Sequence, residues 1–528
     1  MSSLSPDLDR FLSPIRIDVT KARALAHELG KTFRLLASHS LDQFLPTPIS
    51  ESILRPTGGR ERGRYLAIDI GGTNLRVGFV ELLGSKSAPA SNGTTLNGNH
   101  SDHRTPSNLR RVLERIWPIH ESLKNNEDPD PLFAWIGSCI AQVVGEGVEK
   151  FSLDRNKELP MGVTFSFPIA QNSLSNATIM AMGKGFAMSP KLDLGTLLVN
   201  GYEKSKPSNL PPIKVTAILN DAVATLVSFI YQFPEDRTHK VAMGFICGTG
   251  TNATIPLRRS ALGLEKLPKE ITVGVGDRLE DIKVAVNTEW SIKGSAGPLK
   301  GLGIISKWDK MLDDEGERPG FQPFEYMTSG RYLGELARLM FLDYMEPRLR
   351  LSAENIPTEL LRRFGLTTTF LSTYRPLDPP DLLRKLKAEF PPRDSGLPFE
   401  WTVDDATALY HIAIAIEYRA AALTAAAIIG LLACADDIPF SSSPKDRPDP
   451  QKTNGKKDIM NLVVGYTGGC IINFQDYLSD CQWFLDQIME TQFGSPVPAR
   501  LILSPCYDGG ITGAGVLCGV SQAKAKEL

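Results

Sequence analysis

The chain has 528 residues, more than one hydrophobic core ordinarily supports, so two or more domains are expected. With 42% hydrophobic and 22% charged residues it has the balance of a soluble globule, and 58 basic against 60 acidic side chains leave a formal charge of −2, which offers no field for gathering nucleic acid or an anionic membrane. Its seven scattered cysteines contain no C-x-x-C pair, which excludes the common zinc and dithiol motifs and fits reduced thiols in a cytoplasmic setting.

The start, "MSSLSPDLDRFLSPIRID", places acidic residues where a secretory signal needs an apolar core, so export is not expected. Residues 1–63 read as a helical extension whose main helix runs from Thr20 to Leu41. Gly30-Lys31-Thr32 inside it lacks the glycine that a P-loop carries five residues earlier. "RYLAIDI" and "LRVGFVEL" are strand-like and flank Gly71-Gly72-Thr73-Asn74. The polar, low-complexity stretch 83–108 then reads as a disordered surface insertion.

Strands follow at "GVTFSF" and "KVTAIL", a helix from Ala222 to Tyr231, and two more strands, "KVAMGFI" and "ATIPL", around Cys247-Gly248-Thr249-Gly250-Thr251-Asn252. Further helices are expected over Gly330 to Asp343 and Val403 to Leu432. The uncharged run Ala420 to Ala435 is shorter than the roughly 18 to 20 residues of a membrane span, so it reads as part of a buried helix. A second disordered insertion is expected over 436–458. Strands interleaved with helices make this an α/β protein.

Gly-Thr-Asn thus occurs twice, each time between two strands, as a hairpin whose glycines would supply unusual backbone angles. One supersecondary unit in each half of the chain suggests a duplicated domain. Glycine-rich turns expose backbone N–H groups that can cradle phosphate, although a lone turn of this kind is more often only a turn. "GTGTNA" also satisfies a dinucleotide fingerprint, but that motif must open a helix and here "TIPLRR" follows, which argues against a nicotinamide enzyme. "ILNDAVATLVSFIY" places Asn220 and Asp221 where a strand gives way to a helix, the edge of an open sheet where ligands bind; a simple helix cap is the plain alternative for Asp221.

"GVTFSFPIAQNSL", "GKGF", "ILNDAVA", "NTEW" and "FEYMTSGRYLGELARL" come in the order and spacing of one family, and the chain from about Arg64 to Gly519 resembles a hexokinase. The resemblance implies two actin-like, ribonuclease-H-like α/β domains with a cleft between them for sugar and ATP, a small one over 64–220 and a large one over 221–528, with the C-terminal segment packing back on the small one. It implies that Asp221 is the catalytic base and that Ser166, Phe167, Lys184, Asn220, Asp221, Asn252, Glu289 and Glu325 bind the sugar. Asp69, Gly71, Gly72, Thr73 and Asn74 match a first phosphate loop, Gly248, Thr249 and Gly250 a second, and Gly468 and Gly469 the adenine side; ATP and Mg²⁺ are the implied cofactors, with no metal site built from protein side chains. Carboxylates and amides suit a sugar because its hydroxyls both donate and accept.

Departures from glucose-type hexokinases are expected to matter. Met182-Gly183 stands for Trp-Thr, Ala222 for Thr, "ATIPL" follows Asn252 without the usual Tyr and Glu, Thr467-Gly468-Gly469 replaces Asp-Gly-Ser, and Ile511 and Thr512 replace Gly and Lys. With "VVGYTGG" and the Ile-Thr-Gly-Ala-Gly end, these are similar to the fungal hexokinase-type N-acetylglucosamine kinases. That branch implies phosphorylation of the amino sugar, with Ile255 as an apolar lining for its acetyl group. The alternatives are a glucose or general hexose kinase, or a catalytically weak, sugar-sensing relative with a regulatory protein partner.

Overall fold

The computed structural model describes residues 5–55, 61–84, 108–180, 191–233, 236, 238–274, 276–346, 356–391, 400–440 and 460–525. Nearly all of both expected insertions lies outside these residues. The strands are β1 (Leu45–Ser50), β2 (Gly63–Ile70), β3 (Asn74–Leu82), β4 (Leu109–Pro118), β5 (Leu159–Phe165), β6 (Ile169–Ser173), β7 (Asn176–Ile179), β8 (Ile213–Leu219), β9 (His239–Cys247), β10 (Thr251–Arg258), β11 (Lys283–Asn287), β12 (Met460–Thr467) and β13 (Ala499–Pro505). Two compact units are formed: Met1–Phe44, Arg237–Ala253 and Thr288–Ser504 make the first, and Leu45–Asp236, Thr254–Asn287 and Pro505–Leu528 the second.

The second unit holds a sheet in the order β4-β3-β2-β5-β8. β2 and β3 form an antiparallel hairpin with Asp69 opposite Arg76 and Ile70 opposite Leu75, and β4 extends it antiparallel. β5 and β8 add in parallel beyond β2, with Ile70 beside Phe165 and Thr164 beside Leu219. Parallel strands covered on both faces are apolar nearly throughout, and Gly162 in β5 shows how close the cover lies. A Cβ there would sit 2.0 Å from the Ala514 carbonyl oxygen of the C-terminal helix Gly509–Ala525. That helix also packs on β2 and β3. Ile68, Val163, Ile136, Ile140, Val144 and Leu198 belong to one buried cluster, to which the helices Asp130–Phe151 and Leu194–Ser205 contribute.

In the first unit the order is β10-β9-β12-β13, with β12 parallel to β9 and Gly465 beside Gly244. The chain of β10 passes into the second unit at Thr254, where it pairs antiparallel with β11, and β11 with β1. The succession β9, β10, β11, then β12 and β13 repeats β2, β3, β4, then β5 and β8, the duplicated topology expected from the two hairpins. β1, β4, β6, β7, β11, β12 and β13 were not anticipated as strands. β1 reads Leu-Pro-Thr-Pro-Ile-Ser, and its two prolines, which cannot donate ladder hydrogen bonds, are tolerated because it is an edge strand.

The long helix Val403–Cys434 begins in a capping box between Thr402 and Asp405 and packs along Val19–His39 and Tyr477–Phe493. Its most apolar window is 83% buried, so it is a core helix despite its length. Asp130–Phe151 is likewise long and apolar enough to cross a membrane by length and composition, and its window is 61% buried. Two titratable side chains are buried midway along the long helix: Arg419 makes a bidentate pair with Asp309 at 2.7 and 2.8 Å, while burial and the nearby Asp480 and Asp476 push the Glu417 carboxyl up to about 9.

Candidate active site

In the second unit the register of β2, β5 and β8 brings their carboxyl ends level, so Gly71, Ser166 and Asn220-Asp221 emerge at one edge of the sheet. The Ser166 amide donates to the Ile70 carbonyl at 3.0 Å and holds two of these exits together. Asn220 is the cap of the helix Asp221–Gln232: its side chain accepts from the Ala222 amide at 2.9 Å and is buried. Asp221 is the first helical residue and half-exposed; its Oδ1 also accepts from the Ala222 amide at 2.9 Å, while the N-cap position belongs to Asn220. Phe167 is 2% exposed with its ring 5.0 Å from that of Phe165, which places the ring in the core.

The first glycine turn closes by a bond from the Gly71 amide to the Asn74 carbonyl at 3.0 Å and leaves Thr73 and Asn74 exposed. Asp69 lies below it against the start of the C-terminal helix: a Cβ on Gly510 would be 2.4 Å from the Asp69 carboxylate. The Gly510 carbonyl accepts from the Thr164 hydroxyl at 2.8 Å, and Asp508, in the left-handed region at φ 54°, is held by Arg111 at 2.7 Å and Arg76 at 3.5 Å. Asp508 and Gly510 were missed as neighbours of this turn; their signal was the "YDGG" run, noticed only for its later substitutions.

In the first unit the second turn closes by a bond from the Gly248 amide to the Gly250 carbonyl at 2.9 Å, and the amides of Gly330 and Arg331 donate to Gly248 and Thr249 at 2.7 and 3.1 Å. Gly468, at φ 120°, comes so near that a Cβ on it would lie 2.3 Å from the Cys247 carbonyl, which brings Gly468-Gly469 beside Gly248. Glycine is required for a different reason at 250, where a Cβ would meet the Glu325 carboxylate at 2.9 Å. Neither Gly71, Gly248 nor Gly250 takes a positive φ, so the expectation of unusual backbone angles fails there; a Cβ would be crowded at Gly71 and Gly250 but would make only an ordinary contact at Gly248.

Asn252 and Glu289 exchange two bonds: the Asn252 amide nitrogen donates to Glu289 Oε1 at 3.1 Å, and the Glu289 backbone amide donates to Asn252 Oδ1 at 3.0 Å. Glu325 accepts from the Thr251 amide at 3.2 Å and from the Ser291 hydroxyl at 3.4 Å. Beneath them Trp290 is fully buried and donates to the Thr251 hydroxyl at 3.3 Å. Glu289 itself holds φ 45°, a left-handed conformation uncommon outside glycine and asparagine. Asn252, Glu289 and Glu325 are thus one cluster of half-buried acceptors and an amide donor. Ile255 is fully buried in β10 opposite Val286, so it lines no open volume, contrary to its expected role. Lys184, with Met182 and Gly183, lies outside the described residues.

Hexokinase family models match residues 7–231 and 242–520. The chain belongs to the hexokinase family. Hexokinase-1 of Saccharomyces cerevisiae is 31% identical over 318 residues, 60% of this chain but 56% of that protein, and hexokinase-2 of Oryza sativa is 28% identical over 481 residues, 89% of this chain and 82% of that one. The crystallised hexokinase of Schistosoma mansoni in complex with glucose aligns over 97% of this chain and 98% of that one, with a TM-score of 0.70 at 24% identity. That agreement shows the two-domain actin-like fold in this hexokinase-family chain.

Proposed function

We propose that this chain transfers the γ-phosphoryl group of Mg-ATP to the 6-hydroxyl of a hexose. The observation that carries this reading is the shared sheet edge at which Gly71, Ser166, Asn220 and Asp221 emerge, with a half-exposed carboxylate whose capping duty belongs to Asn220. Asp221 accepts the proton of the attacking hydroxyl and orients it; because phosphoryl transfer passes through a loose transition state, orientation is the larger part of that task. Asn252, Glu289 and Glu325 hold the other hydroxyls, offering both donors and acceptors.

The two glycine turns, with Gly468 beside the second, carry no side chain over their glycine backbone, which suits phosphate binding by N–H groups. Mg²⁺ would come as the nucleotide's own ion, ligated mainly by phosphate oxygens and water. Mg-ATP would supply the phosphoryl group and the cation that offsets its charge. Lys184 is proposed to add positive charge toward the sugar hydroxyl.

For the acceptor we propose N-acetylglucosamine, since the chain departs from glucose-type hexokinases at Gly183, where glycine stands for a larger threonine and would leave room for a larger substituent on the sugar. Glucose is the second reading, favoured by the intact Asn252, Glu289 and Glu325 cluster. An ATP-dependent assay across glucose, mannose, fructose, glucosamine and N-acetylglucosamine separates them. We expect kcat/KM for N-acetylglucosamine above that for glucose by roughly 10- to 200-fold, the span that a small group in a pocket provides. A preference for glucose rejects the amino sugar, and binding without turnover of any sugar rejects the kinase.

A further inference from the structure

The short helix Pro323–Thr328 carries Glu325 toward the Thr251 amide, and its other side borders a cavity of about 490 Å³. Pro323, Tyr326 and Met327 are three and four residues apart, so they share one side of the turn and form an apolar wall, faced by Ile305 and Ala296. The volume lies in the range of sites for small organic molecules, which are mostly apolar with a few convergent polar groups. Here the polar groups have a sign. Lys300 and Lys310 stand exposed at the rim and are in no ion pair among the described residues. Of the lining carboxylates, Asp309 is neutralised by the bidentate Arg419, and Asp313, which accepts the Gly320 amide at 2.7 Å, keeps one negative charge against the two lysines. Burial pushes the Tyr326 phenol up to about 12, so it remains a donor at neutral pH.

We propose that this cavity binds a small organic anion, its apolar body against Tyr326, Met327 and Ile305 and its carboxylate, sulfonate or phosphate between Lys300 and Lys310, and that occupancy alters sugar affinity through the helix bearing Glu325. The second half rests on Glu325 as a sugar ligand. The physical route is short: a ligand wedged against one side of a helix of six residues displaces the carboxylate on the other, where Gly250 leaves it almost no slack.

Titration of the full chain with 1-anilinonaphthalene-8-sulfonate, an apolar ring system with one anionic group, is expected to show one saturable site. The double change Lys300→Ala with Lys310→Ala should weaken it at least tenfold, and Ala296→Trp, which fills the cavity, should abolish it. Both lysines are exposed, so the double variant keeps the test valid if the tryptophan variant does not fold. Affinity unchanged in the double variant overturns the site. Calorimetric titration of N-acetylglucosamine and of glucose without ATP, with and without saturating dye, should show a threefold or larger change in sugar Kd. An unchanged Kd overturns the coupling, as does a chain that binds neither sugar. Dye binding that responds to the lysines in a chain that phosphorylates no sugar overturns the kinase reading and supports the site.

Discussion

In the β2–β3 turn, Thr73 and Asn74 face solvent and the nearest carboxylate, Asp69, is packed beneath Gly510. In the β9–β10 turn, Asn252 is tied by two hydrogen bonds to Glu289, and Gly250 has Glu325 pressed against it. The letters Gly-Thr-Asn are the same, yet one turn has exposed Thr73 and Asn74 and the other lies against the carboxylates of Glu289 and Glu325. A turn's backbone sets what it can reach, and residues brought in from far along the chain set its chemistry. Phosphate suits the first arrangement; in the second, the Gly248 side beside Gly468 is left for phosphate, and the side of Asn252, Glu289 and Glu325 suits a polyhydroxylated ligand.

The sharpest break in that division is at Asp221, which belongs to neither turn. Asp221→Ala should lower kcat by on the order of a hundredfold or more while leaving the thermal midpoint near that of the parent, since Asn220 keeps the cap. Activity within a few-fold of the parent would remove the base from the scheme. Next in size, Glu289→Gln should raise the sugar KM by about 10- to 100-fold with the ATP KM unchanged, because a charge-assisted partner of Asn252 is lost. A rise in the ATP KM instead would erase the distinction between the turns. Asn74→Ala should do the reverse, raising the ATP KM by about 3- to 10-fold and sparing the sugar KM.

The hairpins themselves were legible because alternation between apolar strands and glycine turns is local. The Gly250–Glu325 contact was not, since nothing in either segment announces a partner on another element. Local propensity also misled. Pro46 and Pro48 hid an edge strand, and Ile255 reads as a pocket lining until the register of β10 with β11 turns it into the core. Phe167 has the same lesson: within the Phe-Ser-Phe-Pro lettering Ser166 is half-buried, while the Phe167 ring is in the core against Phe165. Asp221 could be placed at a strand's end from the sequence, but only the structure assigns the cap to Asn220.

The smallest expected effect on catalysis serves as a control for both turns. Glu417 has its carboxyl raised to about 9 in the folded chain, while in the unfolded chain it ionises near the ordinary value of about 4.3. Folding stability from this group is therefore complete below about pH 4 and is lost as pH rises toward 9, because only the unfolded chain gains the charge in that interval. Glu417→Gln should flatten the pH dependence and raise the thermal midpoint at pH 8 by about 2 °C or more, with both KM values unchanged. A midpoint that does not move at pH 8 would show that the carboxyl is ionised in the folded chain.

The left-handed backbone at Glu289 sets a trap for directed evolution. A non-glycine side chain is held there at a conformational cost of about 1 to 3 kcal/mol, and glycine or asparagine would relieve it. A screen that rewards only heat resistance or expression would therefore enrich Glu289→Gly and Glu289→Asn, and the winners would be sturdier proteins without the carboxylate that anchors Asn252.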